Sequence, residues 1–487
     1  LTYSCGVKLV KACRTYQNAD VEISKRANII ESIWYRISKQ VEFLRDTCEE
    51  LEPEFIRIQD GLLMSLVTEL SVAAGKLESL SKVNKRDKVK YVVVKPSLDV
   101  AISSLEAWQR RFDPAWYMTL KELKSTSNRI VDDHGSNAME TAKKVQIALS
   151  SGDPTGLTQL FLPLLKKAES TNIHDSTAMV LRDTARVNGI YVVDPLQCHG
   201  VTHAEELEGD VRALVRKLRA VDPVRFSMLQ CSGAQRKKSE AGTLRYELVF
   251  NFPENASGEQ PTSLATLIAS AKYRQHSLSE RLKIAQQLTR AVCYVHALDF
   301  VHKNIRPRSV LAFPQTRSTL GSVYLVGFEM FRREGGNTRL IGDSDWEKNV
   351  YRHPERQGDH PETAHRMQHD IYSLGVCLLE IGLWKPIIPL VADAKSTRPD
   401  GENAMEVQES IPLPQQQVKT KFVKTKFESL ADTLLPSVMG DQYRDVVVNC
   451  LTCLDDENVE FADTSVSTGV KYIQMVCRHV LLSIALC

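Results

Sequence analysis

Apolar residues at Ile23, Ala27, Ile30, Trp34, Ile37, Val41, Leu44, Cys48 and Leu51 alternate steps of four and three, which lines one face of a long helix. A second stripe, Leu63, Leu66, Leu70, Ala73, Leu77 and Leu80, follows an acidic, proline-bearing break at Glu50 to Glu54, and predicts a second helix returning antiparallel to the first. A third runs through Leu98, Ile102, Leu105 and Trp108. Asp113 before Pro114 supplies an N-cap and a first-turn proline for a further short helix. Turn-rich HGSN at His134 to Asn137 and SSGDPTG at Ser150 to Gly156 flank a helix-like run and mark a linker.

Beyond the linker the pattern changes. Gly189 to Val193 predicts a strand, 203–220 an acidic-then-basic helix, Arg225 to Cys231 a strand, Arg245 to Phe252 another, and Leu278 to Leu298 a long helix. Ala392 to Leu430 is polar and proline-bearing. It contains VKTKFVKTKF, a five-residue unit repeated at Val418 to Phe427, which reads as a surface loop running into a helix or as a basic-aromatic recognition segment.

Composition narrows the class. At 487 residues the chain exceeds a single core, and 43% apolar with 25% charged residues is the balance of a folded multidomain protein. Sixty-two basic against sixty acidic residues leave a net charge of +2, so no global field draws the chain to nucleic acid. Eleven scattered cysteines fit reduced thiols in a cytoplasmic protein better than a disulfide framework. Cys450 and Cys453 form one CxxC without a second ligand pair at metal spacing, which favours buried thiols over a metal site. No stretch of eighteen uncharged apolar residues occurs, and Leu1 in place of Met points to a leading segment outside this sequence.

Lys82, Lys85, Arg86, Lys88 and Lys90 crowd the connection between the second and third stripes. Such a run is a solvated loop or, in the sharper reading, a patch for anionic lipid, where each basic residue contributes roughly 1 kcal/mol.

The segment LTYSCGVKLVKACRTYQNADVEISKRANIIESIWYRISKQVEFL and the later LEAWQRRFDPAWY resemble the HeLo-type N-terminal domain of fungal cell-death and heterokaryon-incompatibility proteins over roughly 1–123. That resemblance implies an α-helical effector domain acting on membranes. DFVHKNIRPRSVL, at 299–311, resembles the catalytic loop H-R-D-L-K-P-E-N-I-L of a protein kinase, laid on His302 to Leu311 without a gap. YLVGFEMF (Tyr324 to Phe331), YRHPE (Tyr351 to Glu355) and HDIYSLGVCLLEIG (His369 to Gly382) follow in the order of the D-F-G, A-P-E and D-x-x-S-x-G landmarks.

The implied fold is multidomain α+β. A helical bundle over 1–124 and a helical linker over 125–185 precede a bilobal kinase-like domain over 186–487, whose reduced small lobe covers about 186–253 and large lobe about 254–487. His302, Phe328, Pro354, Glu355, Asp370 and Gly375 are the architectural positions on this resemblance. The chemical positions are altered: Asn304 stands for the base, Arg306 for the loop lysine, and Ser309 for the second metal ligand. Gly327 takes the place of the metal carboxylate, and Glu329 that of the motif's glycine. No G-x-G-x-x-G precedes the first strand, IYVVDPL carries no lysine for phosphate, and CLTCLDDENVEF lacks an arginine for Glu355.

The expectation is therefore a regulatory or effector protein of cell-death signalling with a pseudokinase module, rather than a working kinase or a bare scaffold. It carries no metal and no resident cofactor; ATP binds weakly if at all, and magnesium only with it. Its partner is a protein, a homologous effector or receptor, or a second copy of itself. The bundle meets anionic membrane on activation.

Overall fold

The computed structural model describes residues 2–14, 21–47, 53–81, 94–103, 105, 160–163, 168–183, 189–196, 204–238, 244–254, 256–273, 276–298, 300–316, 318–328, 332–333, 344–392, 413–455 and 458. The chain divides into two compact units, one within Leu1–Ser151 and one within Gly152–Ala485. It is an α+β protein: a helical N-terminal region, then antiparallel sheets, then a helical C-terminal part.

The first unit contains α1 (Thr2–Arg14), α2 (Val21–Thr47), α3 (Pro53–Ser81) and α4 (94–103). The predicted stripes are the buried faces: Ile23, Ala27, Ile30, Trp34, Ile37 and Leu44 on α2, Leu66 and Leu70 on α3, and Leu98 near the start of α4. Gly6 lies so close to the Trp34 ring that an added Cβ would overlap it, which is why α1 needs glycine there. Arg26 joins α2 to α4 through Asp99 at 2.7 Å. Trp108, the Asp113–Pro114 cap and the whole basic run Lys82, Lys85, Arg86, Lys88 and Lys90 fall outside the described residues.

The second unit opens with a five-stranded antiparallel sheet in the order β1-β2-β3-β5-β4, from β1 (Ala168–Asn172), β2 (Met179–Asp183), β3 (Ile190–Leu196), β4 (Cys231–Lys238) and β5 (Leu244–Asn251). Helix α5 (Ala204–Arg219) connects β3 to β4. It buries Val211, Leu214, Val215 and Leu218, an i, i+3, i+4, i+7 set. Two expectations fail here. The sheet starts at Ala168, inside the stretch read as a helical linker; β1 is an exposed, polar edge strand (AESTN) and carries no alternating signal. Arg225 to Cys231 is not one strand: Pro223 opens a helical turn, α6 (Pro223–Phe226), where Asp222 Oδ1 accepts the Val224 N–H at 3.0 Å, and β4 begins only at Cys231.

A three-stranded sheet of β6 (Thr262–Ser263), β8 (Val310–Gln315) and β9 (Ser318–Leu325) and a pair of β7 (Phe300–Val301) with β10 (Arg332–Arg333) follow. Helix α7 (Leu264–Ala269) leads to α8 (Leu278–Ala297), capped by Ser277, which accepts the Glu280 N–H. After the single turn α9 (Trp346–Asn349) comes α10 (Met367–Leu383), buried along most of its length. Helix α11 (Ile387–Ala392) precedes α12 (Leu413–Met439) and α13 (Asp441–Leu451). The VKTKF repeat lies within α12. Five residues turn a helix by about 140° beyond a full turn, so the copies face differently: Phe427 is buried and Phe422 exposed. Among the described residues no helix is long and apolar enough to cross a membrane.

Candidate functional site

At the start of α10 the Asp370 carboxylate, fully buried, collects four donors. Oδ2 accepts the His302 N–H at 2.7 Å and lies 3.1 Å from His296 Nε2. Oδ1 accepts the Lys303 N–H at 2.9 Å and lies 3.0 Å from His365 Nε2. Burial alone would raise this carboxyl, but the two imidazole hydrogen bonds outweigh it and hold Asp370 well below the usual carboxylate range. Lys303 sits at φ +64, a left-handed conformation that the two successive N–H bonds to Asp370 stabilise.

From this anchor the loop runs through Asn304, Arg306 and Ser309, all buried. Asn304 Nδ2 donates to Gly327 O at 3.2 Å, and its Oδ1 accepts from Arg306 Nε at 2.9 Å. Ser309 Oγ accepts the Arg306 N–H at 3.1 Å and lies 2.7 Å from Asn304 O and 2.8 Å from Arg306 O. The Val326 N–H donates to Ser309 O at 2.8 Å, tying the loop to the end of β9. The oxygens that a divalent cation would take, Asn304 Oδ1 and Ser309 Oγ, thus already accept from Arg306.

Gly327 closes the ring. Its φ of +84 belongs to the left-handed region, and an added Cβ would stand 2.7 Å from Ser309 Cβ and 3.1 Å from Asn304 Nδ2. No carboxylate side chain fits there without displacing the loop. Above it, Asp194 of β3, also fully buried, accepts the Gly327 N–H at 2.8 Å and the Phe328 N–H at 2.9 Å through one oxygen, Oδ2. Phe328 is held between Phe250 (ring centroids 6.3 Å apart) and His302 (4.8 Å). Burial pushes the His302 imidazole down to about 4, so it is neutral at pH 7 and packs as an aromatic ring.

The β1–β2 turn reaches the same place. Asp175, at φ +55, lies 3.7 Å from Arg308, which pairs with Glu347 at 2.9 Å. Gln260 Nε2 donates to Asn172 O at 3.0 Å, holding the hairpin to the segment before β6. These contacts are solvent-exposed and each contributes little energy, but together they fix where the turn lies.

Of the positions singled out in the sequence, Asn304, Arg306, Ser309 and Gly327 form one network, and His302, Phe328 and Asp370 form the layer beside it. Pro354 and Glu355 lie in the turn Pro354–Arg356, where Glu355 accepts from Thr363 Oγ1 at 3.1 Å. Gly375 receives α13: a Cβ there would meet Cys450 Cβ at 2.7 Å. Glu329 lies outside the described residues. Cys450 and Cys453 are buried free thiols, with Cys453 just past the end of α13.

Sequence reasoning missed Asp194, although a signal existed: an acidic residue interrupts IYVVDPL, a strand apolar enough to be buried. It also missed the histidines around Asp370 and the buried Glu380, which accepts from Tyr351 OH at 2.9 Å and from the Ile387 N–H at 3.1 Å. No protein-family model matches this chain, and no curated protein matches it significantly.

Proposed function

We propose that the second unit is a protein-kinase-like module without phosphotransfer, joined to a HeLo-type helical bundle in a regulated effector or signalling adaptor. The observation that carries this reading is Asp194. The strand expected to bring a lysine to nucleotide phosphates brings a buried carboxylate instead, bonded to the Gly327 and Phe328 N–H groups where the metal-binding aspartate would begin. A phosphate entering here finds those two donors taken.

The surrounding arrangement supports the same reading. Strands leading to helices is the element order of a small lobe feeding a large lobe. The neutral Asn304 amide cannot accept a substrate proton, and its two ends are occupied. Losing base, metal carboxylate and phosphate lysine together removes factors of several powers of ten each. The module's role is then to bind a protein partner and restrain or release the bundle, with cytoplasmic protein moving to anionic membrane on release.

The test is ATP turnover and nucleotide titration on the full chain. No magnesium-dependent turnover and no micromolar ATP binding are expected, and Asn304→Asp restores neither. Turnover by the wild-type chain that disappears in Asn304→Ala overturns the reading. For the bundle, Lys85, Arg86 and Lys88 replaced by glutamate should abolish co-sedimentation with anionic vesicles. Indifference of the wild-type chain to such vesicles, with and without the kinase-like module, would leave an adaptor that acts only on proteins.

A further inference from the structure

Beside the turn Pro354–Arg356, away from the Asn304 network, His353, Glu355 and His369 each bring one ligand-capable atom to within 4.8 Å of the others. Both imidazoles are buried, at 6% and 1% exposure. Their Nε2 atoms have no hydrogen-bond partner among the described residues, and His369 Nε2 stands 3.6 Å from Glu355 Oε2, too far for a direct bond. A buried polar group left in that condition is costly, so each calls for a partner.

The proton positions decide what kind of partner fits. Each histidine caps a helical turn through Nδ1: His353 Nδ1 accepts the Glu355 N–H at 3.4 Å, and His369 Nδ1 accepts the Arg366 N–H at 2.8 Å. A neutral imidazole that accepts at one nitrogen carries its proton on the other. Both rings are neutral at pH 7, burial having pushed His353 down to about 4 and His369 to about 2. The two Nε2 atoms are therefore N–H donors.

A zinc-type cation needs a lone pair on Nε2, which would break the Arg366 bond. An anion would be repelled by Glu355. The 3.6 Å between His369 Nε2 and Glu355 Oε2 admits either a cation or a water between them, so the choice rests on the proton positions: two Nε2–H donors and a carboxylate acceptor suit a water.

We propose that His353, His369 and Glu355 hold one ordered water molecule, which accepts both Nε2–H groups and donates to the Glu355 carboxylate. The water ties the turn Pro354–Arg356 to α10 and supplies Glu355 with a donor. On the kinase-like reading it takes over from the arginine that the segment CLTCLDDENVEF lacks. The site itself does not depend on that reading.

The experiment is a high-resolution crystal structure of the full chain, with long-range ¹⁵N–¹H histidine spectra and a cobalt(II) titration as metal probe. Expected are one water at about 2.7–3.2 Å from both Nε2 atoms and the carboxylate, the Nε2–H tautomer for both rings, and no tetrahedral cobalt absorption at equimolar metal. Stoichiometric cobalt binding that disappears in His353→Phe would make this a metal site. A dry site with a direct His369–Glu355 bond would equally overturn the proposal. None of these outcomes bears on ATP turnover, so the two readings fail separately.

Discussion

Asp370 and Asp194 are both fully buried carboxylates that take two successive backbone N–H groups, His302 and Lys303 in one case and Gly327 and Phe328 in the other. Their settings differ. Asp370 lies on a buried helix and spreads its donors over both oxygens, reinforced by His296 and His365. Asp194 lies on a sheet strand and takes both N–H groups on Oδ2. The first holds a loop in shape whatever that loop does. On the proposed kinase-like reading the second occupies the place where phosphate and metal would be held, so one physical device serves as scaffold on one side of the Phe328–His302 contact and as a stopper on the other.

The largest effect that tests this contrast is expected from Asp370→Ala. Four donors would lose their acceptor inside the protein, and a loss on the order of 4–5 kcal/mol, read by denaturant unfolding, is expected. The pH dependence carries the same signature. Because the folded Asp370 carboxyl titrates below its unfolded value, its stabilisation is complete above about pH 4 and falls away only as pH drops through the folded value. Asp370→Ala should therefore flatten the acid limb of the stability curve. A variant losing under about 1 kcal/mol would show that the imidazoles alone hold the loop.

Asp194→Ala should cost less, about 2–3 kcal/mol, since among the described residues it takes two backbone N–H donors where Asp370 takes four donors. Its sharper form is Asp194→Lys, which places at this strand the residue type that the proposed kinase-like reading calls for. With Gly327 unable to bring a metal carboxylate and Asn304 unable to act as base, the lysine variant should gain no ATP turnover. Magnesium-dependent turnover in Asp194→Lys alone would show that Asp194 was the sole obstacle and that the loop network is competent.

The contrast also explains how much was legible in the sequence. Asp370 was singled out because it opens a spaced motif on a helix whose apolar run is unmistakable. Asn304, Arg306, Ser309 and Gly327 were singled out because the loop and the strand end after it resemble kinase motifs in order. Their closure upon one another was not visible, since spacing along a chain does not say which lone pairs are taken. Asp194 and the His353–Glu355–His369 group come together only through tertiary packing, from segments 133 residues apart in the one case and joined across a turn in the other. The edge strand β1 was missed for the opposite reason, since both its faces are polar and leave no periodicity to read.

A third buried carboxylate supplies the control. Burial raises Glu380 to about 7, and its two donors, Tyr351 OH and the Ile387 N–H, do not reverse that. A folded value above the unfolded one means that the native state holds its proton longer. Stability from this group is therefore fully present below about pH 4.5 and is lost as pH rises towards 7, by about 3 kcal/mol over the window. Glu380→Gln should remove that slope and leave stability nearly level between pH 5 and pH 7, as read by thermal unfolding. Its sign is opposite to that of Asp370, so the two variants should bend opposite limbs of one curve. If both bend the acid limb, the assignment of Glu380 fails.

The smallest effect isolates the fit of the loop beneath Asp194. Gly327→Ala imposes two penalties: a side chain at φ +84, and a Cβ 2.7 Å from Ser309 Cβ and 3.1 Å from Asn304 Nδ2. Gly258 lies at φ +79 with nothing within 4 Å of an added Cβ, so Gly258→Ala carries the backbone penalty without the steric one. The Gly258 variant should lose about 1 kcal/mol and the Gly327 variant about 2 kcal/mol. Their difference measures how tightly Asn304 and Ser309 close on Gly327. Equal losses would mean that the loop yields to one carbon atom. A carboxylate at 327 would then be sterically admissible, and the distinction between a scaffold at Asp370 and a stopper at Asp194 would rest on the occupied Gly327 and Phe328 N–H groups alone.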